Sequence, residues 1–279
     1  MGVYFYIEKN KYKFPVEVTD NSQYASWSPN YIPGAIDKAD GQCSSYDVEY
    51  CSWSNLPDDD WIWQDDKPWV IGEFVWTGYD YLGEPTPYDE YWPARSSYFG
   101  ICDLAGLPKD RYYLYRSHWN KQQHTIHLLP HWSFGKERKG KVTPVYCYTD
   151  YPTAELFVNG KSQGKITKNP KERLDRYRLR WNDVKYQPGE VKVVVYDAEG
   201  KEAGEKTICT AGKPAALQLD AWTQHDASKL KADGDDMAFV TVSLTDAKGI
   251  LIPEASDQLS FEISGAGTFE AVCNAHRRP

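Results

Sequence analysis

The uneven distribution of aromatic residues limits most strongly what this chain can fold into. Nine of the 11 Trp and 15 of the 21 Tyr lie before residue 133 of 279. The remainder reads as short alternating segments separated by Gly, Pro, Asp and Asn. Two architectures therefore share one chain, and at roughly 100 to 200 residues per domain its length predicts two or three domains. Hydrophobic residues make up 41% and charged residues 26%, enough apolar material for packed cores, which argues against disorder.

The balance of 32 basic against 40 acidic residues gives a net charge of -8, with no run of five like charges, so an electrostatic nucleic-acid partner is disfavoured. No apolar stretch approaches the roughly 18 to 20 residues of a membrane span, and the opening MGVYFYIEKN lacks a signal-peptide pattern. A membrane span is thus excluded, whereas export is not. The six cysteines (Cys43, Cys51, Cys102, Cys147, Cys209, Cys273) form no CxxC pair. A zinc ribbon or thioredoxin-like site has no support, buried free thiols are the plain reading, and a Cys43–Cys51 disulfide is the one local possibility.

From Met1 to Asp66 the clusters SPNYIPG, DKADGQCSSYD and NLPDDD read as turn-rich cover. The run KPWVIGEFVWTGYDY then places apolar residues at Trp69 to Ile71 and Phe74 to Trp76, the pattern of a strand buried on both faces. A proline-rich loop, LGEPTPYDEYWP, comes next. Pro108 then stands just before a helix predicted from Lys109 or Asp110 to Trp119, with Tyr112, Tyr115 and Trp119 at helical spacing. Strand, long aromatic loop and helix make one βα unit, and such a loop at the C-terminal end of a strand is where a (β/α)8 barrel carries its active site.

From about Thr125 the reading is all β: TIHLLPHW, KVTPVYCYTD, TAELFVNGKSQGKI, RYRLRWNDVKY and GEVKVVVYDAEGKEAGEKTICTAG. With turns such as Asn159-Gly160 and Glu199-Gly200, these predict an immunoglobulin-like sandwich. A second would begin at Lys213-Pro214 with strands AALQLDAW, AFVTVSLTDAKG, DQLSFEIS and TFEAV. It is short of the roughly 100 residues of such a sandwich, so at least one strand is expected to be missing.

GEFVWTGYDYLGEPTPY followed by WPARSSYFGICDLAGLPKDRYYLY resembles the last barrel strand, its loop and the last helix of glycoside hydrolase family two. The resemblance is densest over residues 66 to 119, and within the family it points to bacterial β-galactosidases with extra C-terminal immunoglobulin-like domains. TDYPTAELFVNGKSQG and YQPGEVKVVVYDAEGKE are similar to phrases of those accessory domains, and GVYFY to the stretch just past the strand bearing the nucleophile. The resemblance implies a retaining mechanism with two carboxyl groups about 5 to 5.5 Å apart. In the family both are glutamates on earlier barrel strands, the acid in an Asn-Glu pair. This sequence has no Asn-Glu dipeptide and starts just after the expected nucleophile, so no catalytic residue is assigned and the chain is expected to be an inactive C-terminal piece. The closing CNAHRRP also departs from the Gly-Asp-rich continuation the family would supply.

The resemblance places Trp76 against the sugar of the innermost subsite, as a ring for the C–H face of a pyranose; the plain alternative is a core Trp. Glu73 could be taken for a general acid, but the family's glutamates lie elsewhere, so it reads as a buried, hydrogen-bonded support. Asp80 and Glu84 are assigned to loop ordering or to a sugar hydroxyl. Asp110 reads as an N-cap or first-turn charge. His118, His124, His127 and His131 do not match a zinc spacing, so neither metal nor cofactor is expected. Tyr148, Tyr151 and Trp181 could bind polysaccharide, with sandwich packing as the preferred reading.

The expected fold is multidomain: residues 1–120 the C-terminal part of a (β/α)8 barrel, 121–211 an immunoglobulin-like sandwich, and 212–279 a second, truncated one. The expected function is the C-terminal portion of an exo-acting β-galactosidase with an oligosaccharide substrate, no nucleic-acid or membrane partner, and a homo-oligomer left open. The resemblance implies a periplasmic or secreted location. The rivals are a non-catalytic carbohydrate-binding or adhesion module, or a family member acting on β-glucuronides or β-mannosides.

Overall fold

A computed structural model describes residues 46, 56–84, 96–97, 100–223, 231, 233–253, 255, 257–265 and 267–272. The possible Cys43–Cys51 disulfide lies outside them. Cys102 and Cys147 are buried free thiols and Cys209 is a half-buried one. No described helix is long and apolar enough to cross a membrane.

Among the described residues two α-helices precede the sheets: α1, Pro57–Asp66, and α2, Asp110–Trp119. The α2 boundaries are those read from Pro108 and the aromatic spacing. Asp110 lies in its first turn, where a carboxylate meets the positive end of the helix dipole. Helix α1 overturns the reading of NLPDDD as a turn cluster. Proline at its start and three aspartates in its first turn are helix-start features, and the Asp59 carboxylate accepts the Leu56 N–H at 3.2 Å. Asn, Pro and Asp mark turns and helix starts alike; here the apolar Trp61 and Ile62 that come after them decide for the helix.

A short 3-10 helix, Lys136–Arg138, and nine antiparallel strands complete the described elements: β1 Ile126–Leu129, β2 Val145–Thr149, β3 Thr153–Val158, β4 Lys161–Thr167, β5 Leu179–Trp181, β6 Glu190–Tyr196, β7 Glu202–Cys209, β8 Pro214–Thr223 and β9 Ala238–Asp246. One sheet has the order β1-β2-β5 and the second β4-β3-β6-β7, with β8-β9 a separate ribbon. The β3–β4 hairpin turns at Asn159 and Gly160, whose φ values of 48° and 76° are the positive pair that a two-residue hairpin demands.

Leu128, Val145, Cys147 and Leu179 of the first sheet pack against Leu156, Val191 and Val193 of the second, with Trp132 and Trp181 in the same core. Every residue of β2 is buried. Its alternate side chains, Tyr146 and Tyr148, face the other way and join Trp61, Leu114, Tyr115 and Tyr177 in a second core. The three-stranded sheet is thus covered on one face by its partner sheet and on the other by both helices.

The segment RYRLRWNDVKY (Arg176–Tyr186), read from the sequence as β, forms a strand only from Leu179 to Trp181. The preceding arginines instead clamp α1. Arg178 pairs with Asp58, both side chains fully buried, and Arg173 pairs with Asp59. Arg176 grips Asp66 with two bonds of 2.7 and 3.0 Å, and the Tyr177 hydroxyl donates to Asp65 at 2.7 Å. Extended arginine side chains reaching a helix outcompete ladder pairing, because buried aspartates require charged partners.

The apolar run from Trp69 to Trp76 is not a strand in the structure. Ile71 and Phe74 are fully exposed, and Trp69 and Trp76 are 60% and 67% exposed. The sequence pattern states a demand for burial but not where a partner comes from, and the described residues supply backbone pairing only beyond it. The predicted strands DQLSFEIS and TFEAV likewise form no strand among the described residues, with Leu259, Phe261, Ile263 and Phe269 exposed. In the ribbon, the register aligns Leu217 with Leu244 and Leu219 with Val242, and puts Trp222 opposite Phe239 on the other face. The connection from β7 to the ribbon is pinned at both ends. Ala211 N–H donates to the Ser133 hydroxyl at 2.9 Å. The Asp246 carboxylate accepts the N–H groups of Gly212, Lys248 and Ile250 at 2.7, 2.8 and 2.9 Å, bonds that hold its pKa below the ordinary value.

Removing one partner of the buried pair leaves an uncompensated charge, so Asp58→Ala should cost about 3 to 5 kcal/mol. Asp66→Ala, at an exposed pair, should cost less than about 1 kcal/mol. Urea unfolding of both variants measures the contrast; similar values would refute the clamp. A second expectation concerns His118, which stacks on Trp61 at 4.3 Å and whose pKa burial lowers from 6.5 to about 4. Its neutral form is the folded one, so its stabilising contribution is complete above pH 6.5 and is lost as pH falls towards 4. Asp59, raised by burial to about 6 against the pull of Arg173, acts in the opposite sense, losing stability as pH rises through that value. Comparing the chain with His118→Gln cancels the Asp59 contribution: the stability difference should shrink between pH 7 and pH 4.

Candidate functional site

The chain leaving Trp76 is fastened to a second strap, of which residues 96–97 and 100–102 are described. Ile101 N–H donates to Thr77 O at 3.0 Å, Cys102 N–H to Gly78 O at 2.9 Å, and Asp80 N–H to Cys102 O at 3.0 Å. Ser97 N–H donates to Tyr81 O at 2.9 Å, and Tyr81 N–H returns to the Ser97 hydroxyl at 3.1 Å. Gly100 is required where the straps cross, because a β-carbon there would collide with backbone atoms of Tyr79, Asp80 and Cys102.

Asp80 lies at the centre of this fastening. One carboxylate oxygen accepts Gly100 N–H at 2.8 Å and the other is 2.6 Å from Lys109 Nζ, just ahead of α2. Its side chain is 8% exposed, so of the two roles read from the sequence it visibly performs loop ordering. Lys109, read only as a helix start, is the partner that sequence reasoning missed. Behind the strap, Glu73 Oε1 accepts the indole N–H of the buried Trp61 at 3.2 Å. Glu73 is a hydrogen-bonded support, though half-buried rather than fully enclosed.

In front of the strap are Trp76, Tyr81 and Glu84. The Trp76 indole N–H donates to the Tyr81 hydroxyl at 3.0 Å, and that hydroxyl donates to Glu84. The rings of Trp76 and Tyr81 meet edge to face at 6.0 Å. The bond to the Glu84 carboxylate raises the Tyr81 phenol above its ordinary pKa, so it stays a neutral donor. Trp76 and Glu84 are exposed. This arrangement provides an aromatic face with a carboxylate acceptor beside it. Sequence reasoning does not reach Tyr81, because its five-residue spacing from Trp76 matches neither helix nor strand period.

The four histidines from His118 to His131 each meet a different ring or carboxylate, His124 at the surface. His127 Nε2 lies 2.6 Å from Asp110 and its ring stacks on Tyr113 at 3.9 Å. His124 meets Asp150 at 2.5 Å, and His131 packs on Phe134 at 4.5 Å. Among the described residues no group of three or more His, Cys, Asp or Glu is placed to hold a metal ion. Tyr148 and Trp181 are core residues, and Tyr151 packs against the His124 ring at 4.7 Å.

Residues 223–278 match the family described as Glycoside hydrolase family 2 C-terminal domain 5, and residues 140–204 match a domain of unknown function, DUF4982. The chain is 46% identical over 235 residues to a β-galactosidase of Bacteroides ovatus, covering 84% of this chain and 26% of that protein. It is 32% identical over 130 residues to a β-glucuronidase of Bacteroides fragilis, covering 45% of this chain and 17% of that protein. Among solved structures it is similar to a β-glycosidase from Bacteroides vulgatus, with TM-score 0.68 and 34% identity over 81% of this chain and 26% of that one. It is also similar to a glycosyl hydrolase family 2 member from Bacteroides cellulosilyticus, with TM-score 0.60 and 30% identity over 70% of this chain and 28% of that one. The chain spans 17% to 28% of the length of the curated relatives it matches.

Gly100→Ala forces backbone apart at the strap crossing and should destabilise locally by about 1 to 3 kcal/mol. Hydrogen exchange at the Asp80 and Cys102 amides should accelerate while exchange in β2 stays unchanged. Unaltered protection at Asp80 would show that the crossing does not depend on this glycine.

Proposed function

The chain belongs to glycoside hydrolase family 2, and from that premise we propose that it supplies the C-terminal portion of a retaining exo-glycosidase that removes terminal β-galactosyl residues from oligosaccharides. The observation that carries this reading is the exposed indole of Trp76, held at the rim of a double strap with Glu84 beside it. Indole rings offer an apolar platform to the C–H face of a pyranose, and a carboxylate next to it suits a sugar hydroxyl. Trp76 and Glu84 are proposed as sugar contacts. Asp80 is proposed as the brace that sets their height, with hydroxyl contact as its secondary role.

Residues 1–120 are proposed as the last part of a (β/α)8 barrel, 121–211 as an immunoglobulin-like sandwich and 212–279 as part of a second. The first sandwich is supported by its strand distribution. The first, second and fifth strands share one sheet, and the third, fourth, sixth and seventh share the other, an immunoglobulin-like arrangement with the fourth strand switched between sheets. Galactoside is taken as the principal reading on the 46% identity to one relative named a β-galactosidase; relatives named β-glucuronidase or putative β-glucuronidase are 26% to 34% identical, and a second named β-galactosidase is 28% identical.

A second reading, non-catalytic glycan binding, is favoured by the stacked Trp222 and Phe239 rings, 4.5 Å apart on the exposed ribbon. Glycan binding by the chain that is lost in Trp222→Ala, with Trp76→Ala silent, would select it.

In the principal reading, the purified chain gives no turnover of a chromogenic β-galactoside above buffer. Joined behind a barrel bearing the two glutamates it becomes active, and Trp76→Ala in that protein lowers kcat/KM at least tenfold without a matching loss of stability. Hydrolysis by the chain alone that disappears in Glu73→Gln would overturn the assignment.

A further inference from the structure

We propose that Tyr81 is the positioning residue that joins Trp76 and Glu84 into one sugar-contacting unit, a role that rests on the reading of Trp76 as a sugar contact. An indole has a single hydrogen-bond donor, and in Trp76 it is directed to the Tyr81 hydroxyl at 3.0 Å. That hydroxyl passes its own proton towards Glu84. The group between the two must both accept and donate, as the Tyr81 hydroxyl does, and phenylalanine would keep the ring while losing both bonds.

The relay has two chemical consequences. With its N–H engaged, Trp76 presents a ligand with its ring face rather than a donor, which suits a pyranoside approaching by its C–H surface. The negative charge on Glu84 strengthens the chain of bonds from the far end, because charge-assisted and linked hydrogen bonds reinforce one another. Tyr81 can impose an orientation because its backbone is bonded in both directions to Ser97, directly after the braced Asp80. Trp76 is 67% exposed, so packing alone leaves its ring rotamers open. Ordering it beforehand removes entropy that a ligand would otherwise have to overcome.

The test uses the 279-residue chain, labelled with 15N, with the Trp76 indole signal assigned by its loss in Trp76→Phe. In Tyr81→Phe that signal should move and its exchange with solvent should quicken on the order of fivefold. Glu84→Gln should produce a smaller change in the same direction. The other indole signals should stay in place, which separates positioning from a loss of fold. Titration with methyl β-galactoside should shift the Trp76 ring resonances at concentrations several-fold lower in the unmodified chain than in Tyr81→Phe. An unchanged Trp76 signal in Tyr81→Phe would overturn the positioning role. An indole released by Tyr81→Phe but indifferent to the galactoside in every variant would instead overturn the sugar reading of Trp76, and with it the ligand class.

Discussion

Two opposite charges, Asp58 and Arg178, are buried together where helix α1 meets the outer face of the three-stranded sheet, and much of the molecule is arranged around them. Taking both out of water is costly, and such pairs contribute little net stability compared with apolar packing. They do penalise every arrangement that separates them. Here the pair fixes the register of α1 against the segment before β5, with Arg173 and Arg176 repeating the match along the helix. That register places Trp61, whose indole N–H donates to Glu73 in the segment that leads to Trp76. The position of an exposed aromatic platform thus traces back to a buried ion pair.

The parts of the fold that are legible in the sequence are those whose signal is local. Helix α2 is bounded by Pro108 and by aromatic spacing, and the Asn159-Gly160 hairpin by its demand for positive φ. Helix α1 is not legible, because its first turn uses the residues that also make turns, and its burial depends on arginines more than a hundred positions away. The Trp69 to Trp76 run and the segment around Phe261 show the converse limit. Alternation or continuity of apolar residues states what a strand needs, while pairing depends on edges elsewhere.

The candidate site divides in the same way. Trp76, Asp80 and Glu84 stand out as polar or aromatic residues in a loop that resembles a known family. Tyr81 joins them only through side-chain geometry, and Lys109 through a contact across the strap, neither of which has a period in sequence. His118, His124, His127 and His131 look like a cluster because they are close along the chain; in space each is paired with a different ring or carboxylate.

Asp246 bears on how this molecule would transmit motion. One carboxylate takes N–H groups from the approach to the ribbon and from the turn beyond β9, so turning the ribbon about its connection would strain the bond that ties Gly212 to a carboxylate already fixed by its own turn. With Ala211 pinned to Ser133, the joint acts as a bracket rather than a swivel. A load on the ribbon, from a polymer or a neighbouring surface, would pass into the four-stranded sheet as torque instead of being absorbed at the joint.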